Sequence, residues 1–228
     1  MIRTKKEFFG GLVMFVAFLV VLVIMFSPIF KGHNGLEYLD NLYNSISKGS
    51  AYYIPDVLKE TARFKGRSIE VTMDIGDDKQ AQNTGLLFQK GGAFVTVAGT
   101  SLQVSGDLGG ILANALTDAD EMYHNRGETV SQKYGYNERQ VLFNWWNALK
   151  AMDKGLTKQE KFKEAKAVDL VVKKGVEPSY NYYTIEPQRI TDRMGIVIFS
   201  LIFYVVYTLW YGFAIMYMFE GWGMRLEH

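Results

Sequence analysis

The 228-residue chain contains no cysteine and only three histidines. The lack of cysteine excludes disulfides, iron–sulfur clusters, covalently attached c-type haem and thiol nucleophiles. The scarcity of histidine leaves little material for a metal cluster or a proton relay built on imidazole. We therefore expect a domain held together by an apolar core, with no cofactor, no metal and no enzymatic activity.

Charge is absent from two long stretches, one from Phe8 to Phe30 and one from Met194 to Phe219. At about 1.5 Å of rise per residue, a helix over either stretch is long enough to cross the roughly 30 Å hydrocarbon core of a bilayer. No small-x-small cleavage site follows the first stretch, which favours an uncleaved anchor over a signal peptide. The sequence therefore predicts two transmembrane helices, with the lipid bilayer as a direct partner.

Basic residues at the N-terminus set the predicted orientation. Arg3, Lys5 and Lys6 precede the first stretch, and positive residues close to a span end are retained in the cytoplasm. Three basic residues on the other side weaken this bias without reversing it: Lys31, Arg189 and Arg193. The predicted layout, in the inner (plasma) membrane, is a cytoplasmic tail at 1–7, a span at 8–30, a periplasmic or otherwise extracytoplasmic domain at 31–193, a span at 194–219 and a cytoplasmic tail at 220–228.

The domain between the spans has a mixed α+β pattern. Ile69, Val71, Met73 and Ile75 alternate with polar residues, as expected for a strand with one buried face. Three further short apolar runs predict a small antiparallel sheet of about four strands, with a polar loop at 76–84: the runs are 86–89, 93–98 and 101–105.

Helical periodicity surrounds this sheet. A stripe from Leu108 to Tyr123 with Asp107 as its N-cap predicts the clearest helix. We further predict helices after Asn34, near Pro55, from Asn137 to about Gly155 and from a capping box at Thr157, and an extended segment at 176–185.

Three polar motifs invite functional interpretation. Asp118, Asp120, Glu121 and His124 include a Glu-x-x-His spacing, which ligates iron in four-helix carboxylate proteins. Glu121 and His124 fall opposite the apolar stripe, however, so we interpret them as a solvated face. The glycine-rich turn at 106–110 fits a structural N-cap better than a phosphate site, and the acidic residues at 74–78 fit a solvated loop better than a calcium site. The terminal Leu226-Glu227-His228 resembles a vector scar and enters no metal argument.

Two groups of residues are candidates for contact with a partner. The adjacent Trp145 and Trp146 point about 100° apart on a helix, so we expect one of them to be an interface residue. In the second span, four hydroxyl-bearing side chains share one face: Ser200, Tyr204, Tyr207 and Tyr211. We interpret this stripe as a contact with another integral membrane subunit, or with a lipid or quinone held between subunits. The alternative is that the rings pack on small residues of the first span or bond their own backbone.

These features favour a non-catalytic accessory or structural subunit of a larger membrane complex, docking through its extracytoplasmic domain and its second span. The alternative is a membrane-tethered domain that binds a small ligand and acts through a partner. Basic and acidic residues are equal in number between the spans, which gives no footprint for nucleic acid.

Overall fold

The computed structural model describes residues 2–29 and 32–224; the predicted scar at 226–228 lies outside them. The described chain forms two compact units, one from the residues up to Ser47 and from Pro187 onward, the other from Lys48 to Glu186. In chain order the helices are α1 (Lys5–Phe26), α2 (Gly35–Ser50), α3 (Ile54–Thr61), α4 (Asp78–Lys90), α5 (Leu108–Tyr123), α6 (Gly127–Tyr134), α7 (Glu138–Lys158), α8 (Phe162–Val171), α9 (Glu177–Tyr182) and α10 (Ile190–Trp222), and the strands are β1 (Ser68–Asp74), β2 (Phe94–Ala98) and β3 (Ser101–Asp107).

Two helices of the first unit, α1 and α10, are long and apolar enough to cross a membrane, which is weak evidence for a membrane protein. They pack antiparallel, and the backbone N–H groups of Arg3 and Thr4 donate to the Gly221 carbonyl. Small residues allow this close approach. A Cβ atom on Gly11 would lie 2.7 Å from the Ala214 carbonyl oxygen, too near for any side chain to fit without a shift of one helix.

The second unit contains an antiparallel sheet of three strands in the order β1-β3-β2. The three strands predicted from alternation and hairpin spacing are confirmed, but the predicted fourth strand at 86–89 is wrong. That run belongs to α4, which also absorbs most of the predicted loop. Asp77 caps α4 by accepting from the Gln80 N–H, and Ala81, Gly85 and Phe88 form one buried helical face. The apolar run is the inner part of this face, which is why it resembled a short strand.

Two helix boundaries also differ from the prediction. Gly155 does not end α7; it lies inside the helix, where a Cβ atom would come within 2.4 Å of Val71 on β1. The predicted capping box at Thr157 is therefore part of α7, and α8 begins at Phe162. The segment predicted as extended at 176–185 is largely helical. Pro178 does not interrupt the helix, because it lies in the first turn of α9, where its missing N–H costs nothing.

The core of the second unit lies between the inner face of the sheet and the helices. The predicted stripe on α5 is confirmed, since Leu108, Ile111, Leu112 and Leu116 are fully buried. Asp107 accepts from the N–H groups of Gly109 and Gly110, as the prediction of an N-cap requires. The opposite face of the sheet is lined by exposed alternate residues of β1, including Glu70 and Thr72.

The helix pair of the first unit predicts a difference between two adjacent glycines. Gly11→Ala should destabilise the folded chain by about 1–3 kcal/mol, because the new methyl group overpacks a closed contact. Gly10→Ala is the matched control, since no atom lies within 4 Å of its Cβ position. Thermal unfolding of the purified chain in detergent measures both; equal midpoints for the two variants would contradict this packing.

Candidate functional site

The predicted stripe on α10 divides into side chains that are satisfied within the chain and side chains that are not. Ser200 is buried, donates to the Val197 carbonyl (2.8 Å) and shares a hydrogen bond with the Tyr43 hydroxyl (2.6 Å). The Tyr207 hydroxyl donates to the Phe18 carbonyl of α1 (3.3 Å), and its ring stacks on that of Phe18. These two members of the stripe hold the first unit together.

Tyr204 and Tyr211 form the other part of the stripe. They lie seven residues apart and so share one face of α10. Tyr204 is 69% exposed, and Tyr211 is also exposed, with its ring edge near Phe18. Among the residues that the structure describes, neither phenol hydroxyl has a hydrogen-bond partner, whereas the nearby Trp210 indole N–H donates to the Met14 carbonyl. This pair of free hydroxyls is an outward-facing polar feature of the middle part of α10.

The adjacent tryptophans of α7 have opposite surroundings. Trp145 is completely buried, and its indole N–H donates to Asp118 (2.8 Å). Trp145 therefore cannot contact a partner in the folded chain. Trp146 is half-buried: its N–H donates to Glu177 (2.8 Å), and Lys150 lies over its ring. Of the two, only Trp146 is placed at the surface.

The carboxylate of Asp118 is the centre of a buried network that the sequence analysis missed. Besides Trp145, it accepts from the Lys133 ammonium (2.6 Å) and from the Tyr134 hydroxyl (2.6 Å). Burial and the adjacent carboxylate raise the pKa of Tyr134. The available signal was helical position, because Asp118 lies three residues after Ala115 and seven after Ile111 and so falls on the buried stripe of α5. Every oxygen of the carboxylate is used, which makes the network structural.

A second buried charge, Lys48, joins the two ends of the second unit. Its ammonium donates to Asn125 Oδ1 (3.0 Å) and to the carbonyls of Tyr182 (3.0 Å) and Ile185 (2.7 Å). Burial lowers the pKa of this group. The Tyr123 hydroxyl donates back to the Lys48 carbonyl. The first residue of the unit is thus fixed to backbone carbonyls close to its C-terminal end.

The other polar motifs have structural roles. Glu121 accepts from Arg126 through both carboxylate oxygens, and His124 is exposed, as predicted for a solvated face. Asp107 and Asp77 are N-caps of helices. All three carboxylates thus take part in hydrogen bonds within the second unit.

An open groove of about 640 Å³ runs between β1 and the outer side of α7. Lys150, Lys154 and Lys158 recur every four residues along α7 and line one side, and Trp146 lies at one end. Lys150 is near Glu177 (3.9 Å), but Lys154 and Lys158 form no ion pair with any described residue. One carboxylate, that of Asp74, also lines the groove. The groove is therefore basic, with two free ammonium groups.

The six predicted interface residues do not form one site. Ser200, Tyr204, Tyr207 and Tyr211 belong to the first unit, and Trp145 and Trp146 belong to the second. The lysine spacing on α7 was readable from the sequence, but its importance depends on the neighbouring edge of β1, which the helix pattern alone does not reveal.

Comparison with known proteins identifies no relative. The chain matches no protein-family model, and no curated protein or solved structure matches it significantly.

The adjacent tryptophans predict unequal effects of the same substitution. Trp145→Phe should cost about 1–3 kcal/mol of folding free energy, because a buried carboxylate loses a donor. Trp146→Phe should cost less than about 1 kcal/mol, since Glu177 is partly exposed and water can replace the indole. Thermal unfolding of the full-length variants compares them directly; a larger loss at position 146 would refute the assignment of Trp145 to the core.

Proposed function

We propose that this chain is a non-catalytic subunit of a larger membrane complex, anchored by α1 and α10 as transmembrane helices. The observation that carries the proposal is the pair of unpartnered hydroxyls on Tyr204 and Tyr211. Tyr204 lies about 21 Å from the start of α10 and about 27 Å from its end, at 1.5 Å per residue. It is therefore far from the helix ends, where tyrosine is favoured at membrane surfaces.

A hydroxyl in the hydrocarbon region costs free energy unless it finds a hydrogen-bond partner. Ser200, Tyr207 and Thr208 each find one within the first unit. Tyr204 and Tyr211 have no partner among the described residues, and a helix from another subunit can supply the two acceptors. Hydrogen bonds between transmembrane helices average only about 0.6 kcal/mol, so they select the contact face and packing supplies most of the affinity.

The orientation that we propose places the second unit outside the cytoplasm, in the periplasm of a cell with two membranes. Its support is the basic N-terminal segment at Arg3, Lys5 and Lys6. The hydrogen bonds from Arg3 and Thr4 to Gly221 also bring the beginning of α1 and the end of α10 together. The start of α1 and the end of α10 then lie on the same side of the membrane.

The basic groove beside α7 supplies the second contact in this proposal. Lys154 and Lys158 are exposed and free of ion pairs with the described residues, so an acidic segment of a partner gains two attractions without breaking existing ones. Such contacts contribute mainly to specificity and to the rate of association. We therefore assign the groove to an acidic stretch of a partner subunit.

A second function is favoured by the same groove. Its volume is in the range of small-molecule sites, and it combines an indole with several ammonium groups. A small anionic ligand there would make the chain a membrane-tethered sensing domain that acts through a partner. As part of a complex subunit the groove binds an acidic polypeptide segment, and as part of a sensing domain it binds a small anion.

The hydroxyl pair predicts which α10 variants lose partners. Tyr204→Phe combined with Tyr211→Phe should reduce the yield of co-purifying membrane proteins several-fold after mild detergent extraction. Tyr207→Phe is the matched control, because its hydroxyl bonds within the chain, and Val205→Leu with Leu209→Ile tests the apolar face. An unchanged yield in the double variant would remove Tyr204 and Tyr211 as the contact.

The groove predicts binding of an acidic peptide to the full-length protein. A hexaglutamate peptide should bind at low salt, and Lys154→Ala with Lys158→Ala should weaken binding at least fivefold; Lys163→Ala with Lys166→Ala on α8 is the control. Fluorescence anisotropy of the labelled peptide measures this. Thermal stabilisation by citrate or phosphate, without peptide binding, would instead favour the sensing function.

A further inference from the structure

Strand β2 is an open edge of the sheet. The strand order β1-β3-β2 leaves one side of β1 and one side of β2 without a neighbouring strand. The β1 side is approached by α7, since Gly155 packs against Val71. No described strand pairs with the outer side of β2, and its residues Phe94, Thr96 and Ala98 are exposed.

Hydrogen bonds at the other edge fix the direction of the backbone groups. The Ile75 N–H donates to the Thr100 carbonyl, which makes this pair a hydrogen-bonded one. The Glu70 carbonyl instead accepts from the side chain of Gln159, away from β3. Hydrogen-bonded and non-hydrogen-bonded pairs alternate in an antiparallel ladder. The backbone N–H and C=O groups of odd-numbered residues of β1 therefore point toward β3, and those of even-numbered residues point away from it.

The same alternation extends across β3 to β2. Gln103 of β3 is paired with Thr72 on β1 and with Thr96 on β2. Because the backbone groups of Thr72 point away from β3, those of Gln103 are not bonded to β1 and point toward Thr96. Thr96 is thus bonded within the sheet. Val95 and Val97 then direct their N–H and C=O groups to the open side, which leaves two donors and two acceptors along one edge.

This edge lacks the features that normally prevent pairing. Natural edge strands are protected by charged side chains, prolines or bulges. Residues 91–106, which contain β2 and all of β3 except its last residue, Asp107, include no charged residue and no proline. Phe94 is 84% exposed on the outer face of the sheet.

We propose that β2 pairs with β2 of a second copy of this chain, antiparallel and with Thr96 on the two-fold axis. In that register Val95 lies opposite Val97 of the second copy, and by symmetry Val97 lies opposite Val95 of the second copy. Each pair exchanges two hydrogen bonds, so all four free backbone groups of each edge are used. The two three-stranded sheets become one six-stranded sheet.

The side chains suit this self-pairing. Phe94 lies opposite Ala98 of the second copy, so that each large ring covers a small residue on the same face. Thr96 meets Thr96 of the second copy in a non-hydrogen-bonded pair, the closer kind, in which threonines pack favourably. An uncharged edge also meets its own copy without the repulsion that any charge would create on the axis.

The helix behind β2 adds charge complementarity. Asp78 at the start of α4 lies beside Gly99, at the end of β2, while Lys90 at the end of α4 precedes the strand. Antiparallel pairing brings the Asp78 end of one copy toward the Lys90 end of the other. Neither side chain forms an ion pair with a described residue.

A strand of five residues is only about 17 Å long, so the contact is smaller than a standard stable interface. We therefore expect an exchanging dimer that a covalent trap captures. The absence of native cysteine makes single-cysteine variants specific reporters. A non-hydrogen-bonded antiparallel pair places its Cα atoms about 4.5 Å apart, within the range of a disulfide.

The test compares Thr96→Cys with Thr72→Cys in the full-length chain in native membranes under mild oxidation. Both threonines are exposed, lie on the outer face and are partners of Gln103, so they differ only in which edge they occupy. Thr96→Cys should form disulfide-linked dimers at least about tenfold faster, because the two sulfur atoms meet on the axis. Equal rates, or no dimer from Thr96→Cys, would overturn the proposal.

Register and folding are tested by two further comparisons. Phe94→Cys alone should not cross-link, whereas Phe94→Cys co-expressed with Ala98→Cys should; cross-linking of Phe94→Cys alone would refute the antiparallel register. In the otherwise native chain, the average sedimentation coefficient should rise with protein concentration toward that of a dimer; Thr96→Lys should abolish this rise, and Thr72→Lys should not. No rise in the native chain at the highest concentration reached, or an equal rise in Thr96→Lys, would contradict β2 pairing independently of any cysteine.

Discussion

The structure depends on one constraint: a hydrogen-bonding group that leaves water must find a partner inside the protein. In the second unit this constraint is met by Asp118, whose buried carboxylate receives donors from α6 and α7 and so fixes three helices around one point. Lys48 meets it at the ends of the same unit by donating to three oxygens. In the first unit, Tyr207 and Trp210 meet it by donating to backbone carbonyls of α1.

Among the described residues, the groups without a partner include two buried hydroxyls, those of Thr84 and Ser179, and groups at two surface positions. Tyr204 and Tyr211 share one face of α10, and Val95 and Val97 turn backbone groups outward at the edge of β2. We propose that both features form contacts with other chains, but the two contacts differ in kind. In this proposal the tyrosines bond to acceptors from a different subunit, whereas the β2 edge pairs with its own copy. A subunit can use one surface for each purpose, because the two belong to separate units of the chain.

Much of the secondary structure was predictable wherever the local pattern also decides the packing. The two apolar helices, the stripe of α5 and the N-caps Asp107 and Asn137 follow from composition and periodicity. The prediction was wrong at α4 because a four-residue apolar run has too few residues to distinguish a helix period from a strand. Gly155 was misread as a helix end because its small size serves contact with Val71, a residue more than eighty positions away. The Asp118 network and the basic groove likewise depend on tertiary neighbours. For the stripe on α10, the sequence predicted the shared face but not which of the hydroxyls form hydrogen bonds within the chain.

We propose that this chain works as part of a membrane assembly. Blue-native electrophoresis of the endogenous protein, extracted from its own membrane with a mild detergent and followed by mass spectrometry of the band, tests it most directly. We expect a band well above the 26.0 kDa of one chain, and we expect it to contain at least one other integral membrane protein. Migration as a single chain, or as a pure homodimer with no other protein, in every detergent tested would contradict it.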